Sequence, residues 1–251
     1  MTTTIALVTG ANKGIGLETA RQLAARGVTV LAGARDAARG REAERALRAD
    51  GADARCVSLD VTDAASVQAA ADWIEQEYGR LDILVNNAAI AVGGGPPSAT
   101  DLGAMREVYE TNVFGVIMVT NAMLPLLRRA PAARIVNMSS EVGSITAMTD
   151  PASPLSKMPA GLAYPSSKTA LNMITALYAR ELRDTAVKVN AANPGYTKTD
   201  LNGNTGFRSA AEGAEPVVHL ATLADDSPSG ILWGYLWSPE APQAPYGPLP
   251  W

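Results

Sequence analysis

An α/β domain built on a doubly wound parallel sheet is the fold this sequence predicts, and three observations carry that prediction. Short apolar runs alternate with helical periodicities through the first ninety or so residues, with no hairpin signal between them. The first run, Ile5-Ala6-Leu7-Val8, leads straight into a glycine-rich turn and then a helical pattern. Further on, chemistry-bearing side chains stand just past apolar runs, where an open α/β sheet gathers its ligand groups.

Taken in order, the first turn reads Thr9-Gly10-Ala11-Asn12-Lys13-Gly14-Ile15-Gly16. Strand, glycine turn and helix in succession aim free helix N–H groups at a pyrophosphate. Gly10 suits the tight turn, Gly14 lets the backbone approach phosphates, and Gly16 permits close helix–strand packing. The second strand, Val28-Thr29-Val30-Leu31-Ala32, is followed by Gly33-Ala34-Arg35-Asp36. A carboxylate at the end of this strand would accept from a ribose and repel a 2′-phosphate; Ala34 stands there instead, with Arg35 beside it. Lys13 is expected at the same corner, and two cations without a carboxylate favour NADPH over NADH. Asp36 reads as the N-cap of the next helix.

A third strand over 55–59 ends at Asp60-Val61, where Asp60 is placed to bind an adenine amino group. A helix over 64–78 and a fourth strand, Leu81-Asp82-Ile83-Leu84-Val85, lead to Asn86-Asn87-Ala88-Ala89. After a Gly/Pro-rich loop at 91–97, a helical region over 101–129 contains Asn112, a residue costly to bury unless its amide is satisfied. The fifth strand, 134–138, runs into Ser139-Ser140.

Composition narrows the function classes. A formal net charge of −4 offers nothing to a nucleic acid. The single cysteine, Cys56, excludes an internal disulfide framework, and the single histidine, His219, cannot build a metal site and reads as structural. No apolar run reaches the length of a membrane span and no leader segment is evident, so a cytoplasmic protein is expected.

Tyr164-Pro165-Ser166-Ser167-Lys168 is the stretch with the clearest chemical meaning. It puts a phenol and an ammonium four residues apart on one helical face, with Pro165 in the first turn. A fixed cation beside a phenol is expected to lower its pKa and make it a usable proton donor and acceptor.

Together these residues resemble the short-chain dehydrogenases/reductases. Thr9-Gly10 to Gly16, Asn86-Asn87-Ala88, Asn112, Ser140, Tyr164 with Lys168 and Asn193-Pro194-Gly195 stand in that family's order and rough spacing, across essentially the whole chain. The monomeric carbonyl-reductase branch is the most similar, on Asn12-Lys13-Gly14-Ile15-Gly16-Leu17, Ala34-Arg35-Asp36, Glu212-Gly213-Ala214-Glu215 and residues 194–200. The resemblance implies one Rossmann domain over 1–251, a seven-stranded parallel sheet with helices on both faces, and reduction of a ketone or aldehyde by NADPH. Tyr164 is then the proton donor and Ser140, rather than Ser139, the second donor to the substrate oxygen. Lys168 lowers the tyrosine pKa and holds the nicotinamide ribose, and Asn112 anchors a relay water. Asn12, Ile15, Val61, Asn87, Ala88, Pro194, Gly195, Thr197 and Thr199 join the cofactor contacts, the two threonines toward carboxamide and phosphate.

In that branch a longer insertion before the tyrosine covers a helix surface that other members use to dimerise; the insertion here, at about 141–161, is shorter, so a monomer is favoured with a homodimer or tetramer as the alternatives. A substrate lid is expected at about 200–210, a seventh strand over 231–236, and an irregular tail over 239–251. Ala89 departs from the family's glycine. The alternatives are an NADP-dependent alcohol dehydrogenase, a double-bond reductase, or an NADP-sensing protein without turnover; the partner in the enzyme readings is a small carbonyl compound.

Overall fold

The computed structural model describes residues 3–158, 161–237 and 246–251. Strands β1 (Ile5–Thr9), β2 (Thr29–Ala34), β3 (Ala54–Ser58), β4 (Ile83–Asn86), β5 (Ala133–Met138), β6 (Val187–Asn193), β7 (Leu232–Gly234) and β8 (Gly247–Leu249) form one sheet in the order β3-β2-β1-β4-β5-β6-β7-β8. Every pairing from β3 through β7 is parallel, as expected. The strand order reverses between β1 and β4, and a crevice opens at such a switch point at the carboxyl ends of the strands.

Alternation along the strands divides the core in two. Leu7, Leu31, Leu84, Ile135 and Val189 face helices α3 (Ala64–Tyr78), α5 (Gly115–Leu127) and α7 (Ala163–Glu181), while Val8, Ala32, Val85 and Val136 face α1 (Gly14–Ala24), α2 (Ala37–Ala49) and α8 (Ala210–Ala221). With both faces covered, the strands are nearly continuous apolar runs. Asp36 caps α2, accepting from the N–H groups of Ala38 and Arg39, as its place in the sequence predicts.

Two expectations need correction. The sheet has eight strands, because part of the proline-rich tail pairs antiparallel with β7; Pro248 is accommodated because β8 is an edge strand. Residues 239–245 of that tail lie outside the described residues, as do 159–160 of the insertion. The helical region from Leu102 to Leu127 is long and apolar enough to cross a membrane, contrary to the sequence reading. Its apolarity serves the core: Val116, Val119, Met123, Leu126 and Leu127 are buried. The described part of the insertion, 141–158, bonds the chain's last residue, Thr146 N–H donating to the Trp251 carbonyl. Met173 (61% exposed) and Leu177 (48%) of α7 are exposed.

Candidate active site

At the switch point, Thr9 binds the two central strands together. Its hydroxyl accepts the N–H groups of Asn87 and Ala88, each at 2.9 Å, and Asn87 Nδ2 donates to the Thr9 carbonyl at 2.8 Å. Gly10 turns the chain with φ +64°, in the left-handed region that favours glycine. A Cβ on Gly16 would stand 2.5 Å from both Asn87 Nδ2 and the Gly10 carbonyl, so the close packing predicted for this residue is real. Above the loop lies Thr199, whose methyl would be 3.7 Å from a Cβ on Gly14.

At the end of β2, Ala34 is buried and Arg35 is exposed. Lys13 donates to Asp200 at 2.6 Å, from the glycine loop to the 200–210 segment. That bond holds the Asp200 carboxyl below its usual range, and the charge of Arg39 adds to the effect. Arg39, in the first turn of α2, is a further cation at this corner that the sequence reading missed. Asp60 Oδ1 accepts from the N–H and hydroxyl of Thr62, and Val61 is buried beside it.

The second half supplies the reactive groups. The two serines after β5 part company: Ser139 is buried and donates to Asn172 Oδ1 at 2.5 Å, while Ser140 is half-buried with its hydroxyl close enough to the Tyr164 phenol to draw its pKa down. Tyr164 and Lys168 lie in the first two turns of α7, which begins at Ala163 with Pro165 in its first turn. Lys168, 2% exposed, donates to the Met138 carbonyl at 2.8 Å, and its Nζ stands 5.4 Å from the Tyr164 ring centroid. Burial dominates both groups. It pushes the Tyr164 phenol up to about 12, with the Ser140 bond pulling back, and the Lys168 ammonium down to about 7. Desolvation outweighs the neighbouring cation at the phenol here, and Lys168 is the group brought toward neutrality.

Asn112 lies in a π-helical turn, Glu110–Phe114, that interrupts the expected continuous helix. Its Oδ1 accepts Ile90 N–H at 2.9 Å, and its Nδ2 donates to the Ile90 carbonyl at 2.9 Å and to Ser167 Oγ at 3.1 Å. Both amide hydrogens are spent, so the side chain is first of all a brace between the chain after β4 and α7. Thr197 is 4% exposed, and its hydroxyl donates to the Pro194 and Gly195 carbonyls, which ties that turn internally. The 200–210 segment folds back on the chain that precedes it, the N–H groups of Phe207 and Arg208 donating to the Tyr196 carbonyl. His219 stacks on Trp233 at 5.1 Å, a packing role as expected.

A parallel sheet whose strand order reverses between β1 and β4, with a glycine loop at that point and Ser140, Tyr164 and Lys168 at the end of β5, has the build of a dinucleotide-linked α/β oxidoreductase. The family profile described as short chain dehydrogenase matches residues 4–208, and the chain belongs to that family. It is 38% identical over 253 residues to the short-chain dehydrogenase anuI of Penicillium roqueforti, covering 94% of this chain and 99% of that protein. Carbonyl reductase [NADPH] 1 of Sus scrofa is 34% identical over 262 residues, covering 90% of this chain and 89% of the other. Among solved structures, NADPH-bound carbonyl reductase from chicken fatty liver superposes with a TM-score of 0.81 at 30% identity, covering 93% of this chain and 97% of that one. The protein is thus an oxidoreductase of the carbonyl–alcohol pair, in the carbonyl-reductase branch of its family.

Proposed function

We propose that this protein reduces a ketone or aldehyde to an alcohol with NADPH, the reverse oxidation running through the same residues. The observation that carries the reading is the gathering of Ser140, Tyr164 and the buried Lys168 at the carboxyl end of β5, with Lys168 Nζ 5.4 Å from the Tyr164 ring centroid. The glycine loop fits a dinucleotide: Gly10 adopts a conformation reserved for glycine, and Gly14 presents no side chain toward the overlying Thr199. Bound NADPH supplies the hydride.

The chain's own residues do the rest. Ser140 and Tyr164 direct two O–H donors at one substrate oxygen and stabilise the charge that develops there. Tyr164, held neutral by burial, gives its proton in the reducing direction. Lys168, titrating near neutrality, sits close enough to the ring to carry the balancing proton. Asn112 keeps α7 in register with the strand ends by bracing Ile90 against Ser167. At the adenosine end, Arg35 supplies positive charge where a carboxylate would select NADH, with Arg39 close by. In this reading the chain is a single cytoplasmic domain, its substrate is a small carbonyl compound, and the 200–210 segment is the lid over it.

The test is NADPH-dependent reduction of a panel of quinones, aromatic ketones, aldehydes and cyclic ketones by the wild type, run beside Arg35→Ala. Turnover with at least one class is expected, and the substitution should raise KM for NADPH about tenfold or more while changing KM for NADH little. Equal effects on both cofactors would refute the phosphate assignment, and no turnover with any class would refute the reductase reading.

A further inference from the structure

Glu141 follows Ser140 directly, in a 3-10 turn over Glu141–Gly143, and is 6% exposed. From the sequence alone it reads as an ordinary polar residue at the start of the insertion. Its surroundings say otherwise. The Trp237 N–H, on the chain leaving β7, donates to Glu141 Oε2 at 2.7 Å. Asn193, at the end of β6, stands close enough to the carboxyl to lower its pKa. Asn193 in turn donates to the Tyr235 carbonyl and accepts from Gly195 N–H at 3.2 Å, which fixes the Pro194-Gly195 turn. One buried carboxyl thus joins three segments that meet at the carboxyl ends of β5, β6 and β7. A buried carboxyl is costly unless its bonds are made, so its place here points to a specific role for those bonds.

We propose that Glu141 is a positioning residue: its carboxyl clasps the chain leaving β7 and the turn after β6 onto the turn that carries Ser140, and so sets the placement of that serine. The inference rests on the donor role given to Ser140 above. Mechanically, the clasp works because the same short turn is fixed from the other side by α7. A Cβ on Gly143 would lie 2.8 Å from Lys168 Cβ, so the turn is held against the helix that carries Tyr164 and Lys168. Loosening Glu141 frees one side of the turn and moves Ser140 relative to Tyr164.

The clasp responds to pH. Around Glu141 stand Arg208, whose guanidinium lies 3.4 Å over the Tyr235 ring, then Tyr235 itself, which donates to Glu215, and on the α7 side Lys168 and Tyr164. Burial pushes the Glu141 carboxyl up from 4.5 to about 7, while the Trp237 N–H, the Asn193 amide and Arg208 pull it down. A solvated glutamate would titrate near the lower value, so the closed clasp holds a proton that the open one has lost. By linkage, lowering the pH through 7 tightens the clasp and raising it loosens it.

The experiment uses the full chain, with ¹⁵N labelling to follow the Trp237 amide from about pH 6 to about pH 9, together with kcat and KM over the same range. The wild-type amide signal should titrate with a midpoint near 7. Glu141→Gln keeps acceptor and donor atoms but cannot ionise, so that midpoint should vanish while kcat stays within about threefold of wild type. Glu141→Ala should lose kcat about tenfold or more, a larger change than any in KM for NADPH, since it displaces the serine donor most directly. A Trp237 titration that persists in Glu141→Gln, or wild-type kcat in Glu141→Ala, would overturn the proposal. If Glu141→Ala does not fold, the wild-type and Glu141→Gln titrations decide. A wild type that titrates at Trp237 yet reduces no carbonyl compound refutes the reductase reading and leaves the clasp standing; turnover without the titration refutes the clasp alone.

Discussion

Around β1 and β4 the site is held by two side chains, Thr9 and Asn87, bonded to main-chain atoms, whereas around β5 and α7 buried side chains bond mostly to one another. In the first region the Thr9 hydroxyl accepts the Asn87 and Ala88 N–H groups and the Asn87 amide donates to the Thr9 and Gly10 carbonyls, with glycines keeping the space clear. In the second, Ser139, Asn172, Lys168, Asn112 and Ser167 form side-chain bonds in the interior. The contrast teaches where each half is vulnerable. The nucleotide region tolerates changes of polar atoms outside the loop but not an added Cβ. The catalytic region has room for its chemistry only while each buried polar group keeps its partner.

The adjacent serines offer the largest test of that contrast. Ser140→Ala should lower kcat about 10²–10³-fold with little change in melting temperature, because it removes a donor to the developing oxyanion. Ser139→Ala should do the reverse, leaving Asn172 Oδ1 short of its donor and costing about 1–3 kcal/mol of stability while kcat changes only several-fold. If both variants behaved alike, side-chain identity at the end of β5 would not matter as argued. Next comes Gly16→Ala, whose new methyl meets the Gly10 carbonyl and Asn87 Nδ2. It should cost about 1–3 kcal/mol of stability and weaken NADPH binding, read by a binding titration, while saturating NADPH restores most of kcat.

A further prediction concerns pH. Lys168 has a folded pKa of about 7 against 10.5 for the free side chain, so the folded state binds fewer protons between those values. Stability from this group is therefore absent below pH 7 and grows as pH rises toward 10.5. Lys168→Met should remove that dependence, so the melting temperature of the wild type should gain on the variant's between pH 7 and about 10. A constant difference across that window would mean that Lys168 is not desolvated as the structure has it.

Much of the nucleotide region was legible in the sequence because its signals are local. Gly10, Gly14 and Gly16 lie within one turn, and Asp36 caps the helix that follows it. The catalytic set was legible as well, through the four-residue spacing of Tyr164 and Lys168 and the serine past β5. What escaped depends on partners far apart along the chain. Lys13 meets Asp200, and Glu141 meets Trp237, contacts that no local pattern encodes. The neutral state of Tyr164 escaped for a related reason: spacing reveals a neighbouring cation, but only the packed structure reveals how deeply both groups are buried. β8 was hidden because five prolines argue against a strand everywhere except at a sheet edge.

The central claim is that Tyr164 delivers the proton to the substrate oxygen from a site whose cofactor binding does not depend on its hydroxyl. Tyr164→Phe tests it most directly, with single-turnover carbonyl reduction and NADPH binding measured on the same preparation. The account predicts a loss of about 10³-fold in the reduction rate with NADPH affinity within a few-fold of wild type. Carbonyl reduction at the wild-type rate by Tyr164→Phe would contradict it.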